Sequence, residues 1–106
     1  MEKKITDFEE KVIEKLRAIP KGKVTTYGFL ARTLRRPKSS RAVGNAVGKN
    51  PFAPKAPCHR VVKADGIIGG YSGNGGVNKK IDLLSKEGIE VKKGRIVDFE
   101  QKLYKF

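Results

Sequence analysis

The chain holds one cysteine and one histidine, and they are neighbours, in the run Pro57-Cys58-His59-Arg60-Val61. A thiolate is a soft nucleophile, and imidazole is the side chain that titrates nearest neutral pH. Side by side, they point to thiol chemistry. A free cysteine with its usual pKa near 8.5 is only about 3% thiolate at pH 7, so such chemistry needs activation. Pro57 suits the first position of a helical turn. Cys58 would then lie near the start of that turn, where negative charge is favoured. Side chains adjacent in sequence point apart, so His59 serves Cys58 only through a tight turn or a bridging water. A cysteine hydrolase draws its base from a distant segment, and this chain has no second histidine for that task. One Cys and one His cannot make a four-ligand zinc site unless several carboxylates join them. No metal and no cofactor are expected.

The remaining composition says what such a thiol would meet. The chain has 106 residues, the size of one small domain, and nothing in it suggests two. It carries 24 Lys and Arg against 11 Asp and Glu, a net charge of +13. That charge attracts polyanions and speeds their encounter. DNA, RNA and an anionic membrane surface are the candidates; a Lys-rich surface that binds nothing is the alternative. No apolar run approaches the roughly 20 residues that span a bilayer. The start, Met1-Glu2-Lys3-Lys4, opens into a mixed-charge amphipathic stretch and does not read as a signal peptide. A single cysteine makes no internal disulfide, so a reducing, cytoplasmic setting is expected.

The elements that must hold the thiol can be read in order. Thr6-Asp7-Phe8-Glu9 has the form of a capping box, followed by Phe8, Val12, Ile13, Leu16 and Ile19 at helical spacing, until Pro20 and Gly22 stop the helix. Lys21 to Thr25 is a turn. Thr26 can cap a short second helix from Tyr27 to about Leu34, with Leu30, Ala31 and Leu34 inward. Arg35-Arg36-Pro37-Lys38 is a positively charged turn. Ser39 or Ser40 can cap a third helix to about Lys49, built of Arg41-Ala42-Val43-Gly44-Asn45-Ala46-Val47-Gly48. Two glycines there cost roughly 1 kcal/mol each relative to alanine, which close approach to something bulky would offset. Asn50 to Pro57 has three prolines in seven positions and reads as a stiff extended connector. Val61-Val62-Lys63, the turn Ala64-Asp65-Gly66 and Ile67 to Tyr71 read as a small hairpin, or wing. Ser72 to Gly76 is a loop. Val77 to Lys86 reads as a last helix with Val77, Ile81 and Leu84 inward and Gly88 as its stop. From Ile89 the chain is a charged tail whose Ile96, Val97 and Phe99 can pack back. The expected fold is mainly α: a winged helix-turn-helix-like DNA-binding domain with a small β-hairpin wing, one domain over residues 1–106. A plain helical hairpin is the alternative.

With these residues placed, the chain resembles the catalytic domain of the O6-alkylguanine-DNA alkyltransferases, the methylated-DNA–protein-cysteine methyltransferases. The resemblance rests on Pro57-Cys58-His59-Arg60-Val61, on Gly22-Lys23-Val24-Thr25-Thr26-Tyr27 and on Arg41-Ala42-Val43-Gly44. Asn50-Pro51, Gly70-Tyr71-Ser72-Gly73, and Leu83-Leu84 followed by Glu87-Gly88 complete it, in family order over roughly residues 8–91. Most members carry a separate domain before the first helix, whereas this chain starts almost at that helix. Every site residue still falls within it, so activity is expected. The loop Ser72 to Gly76 is about two residues longer than usual.

The resemblance implies a role for each matching position. Cys58 takes the alkyl group from guanine O6 and keeps it as a thioether. His59 acts as base through a bridging water, with Glu87 polarising it, and Asn50 orders the turn. Tyr27 donates to guanine N3 and presses on the phosphate so that the nucleotide turns out. Arg41 fills the gap left in the stack. The backbone around Cys58, Val61 and Ser72 reads the extruded base, and Tyr71 lines the pocket. DNA contact extends over Arg36, Ser40, Ala42 and Gly44. The implied partner is double-stranded DNA containing O6-alkylguanine, bound by a monomer that is consumed in one turnover.

The chemistry agrees with those roles. A soft thiolate suits attack at an alkyl carbon, and a phenol donor neutralises the departing guanine. A base in the stack must be flipped out, at a few kcal/mol. A long cation at position 41, on a helix of small residues, can enter the groove and offset part of that cost. Two rival functions remain: a DNA-binding module without transfer, and a cysteine hydrolase. In the related alkyltransferase-like proteins the cysteine is replaced, usually by tryptophan, which Cys58 argues against.

Overall fold

The computed structural model describes residues 6–36, 38–49, 57–70 and 75–106. Thr6 closes the expected capping box: its hydroxyl accepts from the Glu9 N–H at 3.1 Å, and its own N–H donates to Glu9 Oε1 at 3.0 Å. Helix α1 follows over Asp7–Ala18, with Asp7, Glu9 and Glu10 in its first turn and Lys15 and Arg17 in its last, matching its dipole. Its stripe Val12, Ile13 and Leu16 is buried. Strand β1, Thr25–Thr26, leads directly into α2, Tyr27–Thr33, because Thr26 is both strand residue and cap, its hydroxyl accepting from the Phe29 N–H at 3.0 Å. Arg35, at φ +62°, turns the chain toward α3, Ser40–Gly48. Ser39 takes the cap position of α3 without a side-chain cap bond.

The chain then reaches a 3-10 turn, Cys58–Arg60, and strand β2, Val61–Val62. The hairpin expected over residues 61–71 is not how this segment pairs. β2 lies parallel to β1, with Thr25 opposite Val61 and Thr26 opposite Val62. The small hairpin of this mainly helical fold lies further on, after α4 (Gly76–Lys86). It consists of β3, Val91–Lys92, and β4, Arg95–Ile96, joined through Lys93 and Gly94, both at positive φ as a tight two-residue hairpin turn requires. The tail continues into α5, Phe99–Lys102, and Leu103 pairs with Val24.

Two cores result, and β2 divides them. The first joins Val12, Leu16 and Ile19 to Leu30, Ala31, Val43, Ala46 and Val47, with Cys58 and Val61. The second gathers Val24, Val62, Ile68, Leu84, Ile89 and Ile96. Successive strand residues point to opposite faces, so Val61 enters one core and its neighbour Val62 the other. The Cys58 turn is thus fixed at the seam. Among the described residues no helix is long and apolar enough to cross a membrane.

Candidate active site

Pro57 occupies the cap position of the 3-10 turn rather than its first helical position, and Cys58 begins the turn. The thiol is free and 5% exposed. His59 is 2% exposed, and its Nε2 lies 3.1 Å from Glu87 Oε2, just past the end of α4. A carboxylate only accepts hydrogen bonds, so Nε2 carries the proton and donates. The Nδ1 lone pair is then free to accept one. That atom is buried and has no hydrogen-bond partner among the described residues. Burial holds the imidazole below its ordinary pKa, against the opposing pull of Glu87, so the ring is neutral at pH 7.

Arg60, not singled out from the sequence, fixes Glu87. Its Nε donates to Glu87 Oε1 at 2.9 Å, its second guanidinium nitrogen donates to Oε2, and its third donates to the Ile19 carbonyl at 2.7 Å. Burial alone would raise the Glu87 pKa, but hydrogen bonds from Arg60 and His59 outweigh it and hold the carboxyl below its usual range. The forked bond fixes the plane of the carboxylate, and the carboxylate fixes the imidazole.

Tyr27 opens α2 and packs against the core cluster that includes Cys58. Its phenol is pushed above its ordinary pKa by burial and by the negative charge of Cys58, which keeps it a hydrogen-bond donor at neutral pH. Its ring lies against Gly44 of α3, where an added Cβ would sit 3.8 Å from the ring edge. On α3, Val43, Ala46 and Val47 are buried, while Ser40, Arg41, Ala42 and Asn45 are exposed and Gly44 is half-buried. The outward face is therefore small and polar apart from Arg41. Arg36 is exposed, with its guanidinium 5.3 Å from the centre of the Phe8 ring on α1. Asn50, Tyr71 and Ser72 lie outside the described residues.

A second residue was not anticipated. Lys80 of α4 is fully buried, and its ammonium donates to the carbonyls of Val61 at 2.8 Å, Ile68 at 2.6 Å and Gly70 at 3.1 Å. Spacing carried a faint signal: position 80 lies one turn before the buried Leu84, where a lysine is out of place, whereas Val77, expected inward, lies in the first turn of α4 and is 40% exposed. Val61 itself is buried, and its carbonyl keeps a second lone pair besides the one that Lys80 takes.

The chain is similar in sequence and fold to known proteins. A methylated-DNA–protein-cysteine methyltransferase of Salmonella typhimurium is 49% identical over 83 residues, 78% of this chain and 47% of that one. One of Methanosarcina acetivorans is 45% identical over 83 residues, 78% of this chain and 52% of the relative. The chain thus spans about half the length of the curated relatives it matches. Among solved structures, that of Mycobacterium tuberculosis OGT in complex with DNA superposes with a TM-score of 0.74 at 44% identity, covering 79% of this chain and 51% of that one. The S. pombe Atl1 structure, in complex with damaged DNA containing O6-carboxymethylguanine, superposes with a TM-score of 0.83 at 30% identity and covers 98% of this chain and 100% of that one. The family described as 6-O-methylguanine DNA methyltransferase, DNA binding domain, matches residues 7–89, from the first residue of α1 to just past Glu87 and Gly88, and the chain belongs to it.

Proposed function

We propose that this chain is a catalytic alkyltransferase domain that repairs O6-alkylguanine in DNA by moving the alkyl group irreversibly onto Cys58. The observation that carries this reading is the His59–Glu87 contact, which leaves the Nδ1 lone pair of a neutral imidazole as proton acceptor on the residue that follows the chain's one cysteine. The Cys58 proton moves toward His59 Nδ1 by way of a water. The sulfur attacks the alkyl carbon, an S–C bond forms as the C–O6 bond breaks, and the electron pair stays on guanine. A hydrogen bond from the Tyr27 phenol to the ring lowers the cost of that charge, and guanine regains the proton it needs from solvent, matching the one given up by the thiol. The charged carboxylate of Glu87 attracts the imidazolium as it forms, an interaction realised only in the transition state.

DNA would lie across the outward face of α3. Small side chains at Ala42 and Gly44 let the backbone come close, Arg41 enters the stack, and the base turns out toward Cys58. Ser40 and Arg36 flank that face. Asn50 would order the turn, and Tyr71 and Ser72 would complete the pocket with the Val61 backbone.

The test is the intact mass of the protein after mixing with a short duplex that carries one O6-methylguanine. A gain of one methyl group on the peptide containing Cys58, absent from Cys58→Ala, is the expected result. A second reading, lesion binding without transfer, draws on the end-to-end likeness to Atl1 bound to damaged DNA. It predicts selective binding with no change in mass.

A further inference from the structure

We propose that Lys80 is a positioning residue for this transfer, a buried cation that ties the backbone directly after the Cys58 turn to the stretch Ile68 to Gly70 and holds positive charge next to that turn. The inference rests on the alkyl-transfer reading. Lysine is almost never fully buried unless paired, and here its ammonium meets three carbonyl oxygens, one for each of its hydrogens. A neutral amine has two hydrogens and could not hold all three. The carbonyls belong to different segments. Val61 directly follows the Cys58 turn, whereas Ile68 and Gly70 lie on the stretch that runs into Tyr71 and Ser72. Lys80 therefore sets the spacing between the turn that carries the nucleophile and the stretch Ile68 to Gly70.

A buried aliphatic side chain would fill this position without the desolvation that a charge suffers. That desolvation is visible: burial, helped by the like charge of Lys63 and opposed by Cys58, leaves the Lys80 pKa lowered to about 8. The ammonium of Lys80 thus brings positive charge into the interior next to the Cys58 turn, through its bond to the Val61 carbonyl. The same charge also lowers the proton affinity of His59, keeping the base neutral. The charged and titratable groups facing Lys80 are thus Cys58 and His59 on the turn and Lys63 beyond β2, and two of the three are the reacting pair.

The test uses Lys80→Met, an unbranched side chain of similar length that suits an apolar site. The expected result is a folded variant whose methyl-transfer rate at saturating O6-methylguanine duplex falls by about tenfold or more, the size of one charge-assisted hydrogen bond. The half-saturating DNA concentration should stay within about twofold, since Lys80 touches no outward face. Alkylation of Cys58 by iodoacetamide should slow as well. A filler of the core would change stability and leave both rates alone, so wild-type rates in the folded variant overturn the proposal. If Lys80→Met does not fold, NMR titration of the Lys80 side chain in the wild-type protein decides. Capping Cys58 with iodoacetamide removes the thiolate charge and must lower the Lys80 pKa; an unchanged titration overturns the proposal. A wild-type protein that takes up no methyl group would sink the functional reading, and the iodoacetamide rate and the titration would still judge Lys80.

Discussion

Replacing Glu87 with glutamine tests the proton path while leaving the shape of the site intact. Glutamine is isosteric and can still accept from Arg60 through its oxygen, but it cannot attract an imidazolium. The contact at stake is 3.1 Å long, between side chains that are 2% and 10% exposed, so solvent screens it little. A charge-assisted hydrogen bond of this kind contributes about 1.5–3 kcal/mol. If that energy is realised as His59 becomes charged, Glu87→Gln slows methyl transfer by roughly 10- to 150-fold at 1.36 kcal/mol per tenfold. The assay is single-turnover transfer from an O6-methylguanine duplex, at a temperature where circular dichroism shows both proteins folded. Affinity for undamaged duplex should not change. A transfer rate within twofold of wild type, with the fold intact, would refute the proton path through His59.

The same variant has a signature in acid. The folded-state pKa of Glu87 lies below its ordinary 4.5, so the folded chain binds that proton less readily than the unfolded chain does. The stability this contributes is fully present above pH 4.5 and is lost as pH falls through the folded value. Melting temperature should therefore fall less steeply in acid for Glu87→Gln than for wild type. His59 is also lowered, from 6.5, so its neutral burial stabilises above that pH and costs stability as pH falls below it. The acid limb of transfer should accordingly lie below pH 6.5.

Three other substitutions bear on separate parts of the argument. Tyr27→Phe keeps the ring against Gly44 and removes only the hydroxyl, so transfer should slow by about tenfold or more while undamaged-duplex affinity and melting temperature hold; an unchanged transfer rate would remove the phenol from the mechanism. Gly44→Ala meets only ordinary contact at 3.8 Å from Tyr27 and should stabilise the helix by about 0.5–1 kcal/mol, yet weaken duplex binding if DNA rests on this face; unchanged affinity by fluorescence anisotropy would place the DNA elsewhere. Gly66→Ala should lower the melting temperature by about 5 °C or more, because Gly66 has φ +80° and a Cβ would come within 2.8 Å of Phe99; a wild-type melting curve would show that α5 does not pack there in solution.

Local signals in the sequence located α1 to α4, while the four-residue α5 lay within what read as a charged tail. The capping box at Thr6, the cap at Thr26 and the apolar stripe of α1 are contacts between residues three or four apart, which periodicity and capping rules read directly. The pairing of β1 with β2 was not legible, because two-residue strands carry no alternation and their partners are far apart in the chain. Val61 and Val62 were read as half of a hairpin for want of any sign that Thr25 and Thr26 lay beside them. The hairpin at β3 and β4 was hidden for a related reason: its strands are two residues each, one apolar and one charged, and only Lys93-Gly94 marks the turn.

The site divides along the same line. Cys58 and His59 announce themselves by adjacency, but the remote partner Glu87 came from family resemblance, since nothing in one sequence relates residues 28 positions apart. Arg60 lay inside the recognised pentapeptide and was still passed over, because a cation among 24 others reads as solvated surface. Lys80 was concealed more thoroughly by the same abundance. Its neighbours Lys79 and Lys86 are exposed, as lysines on an amphipathic helix normally are, and only the fold reveals that α4 turns Lys80 inward onto three carbonyls. A strongly basic chain thus hides its internal cations in its composition. What distinguishes them is a helical face, shared here with Leu84 one turn on, on which a lysine must be either an error of packing or a strut.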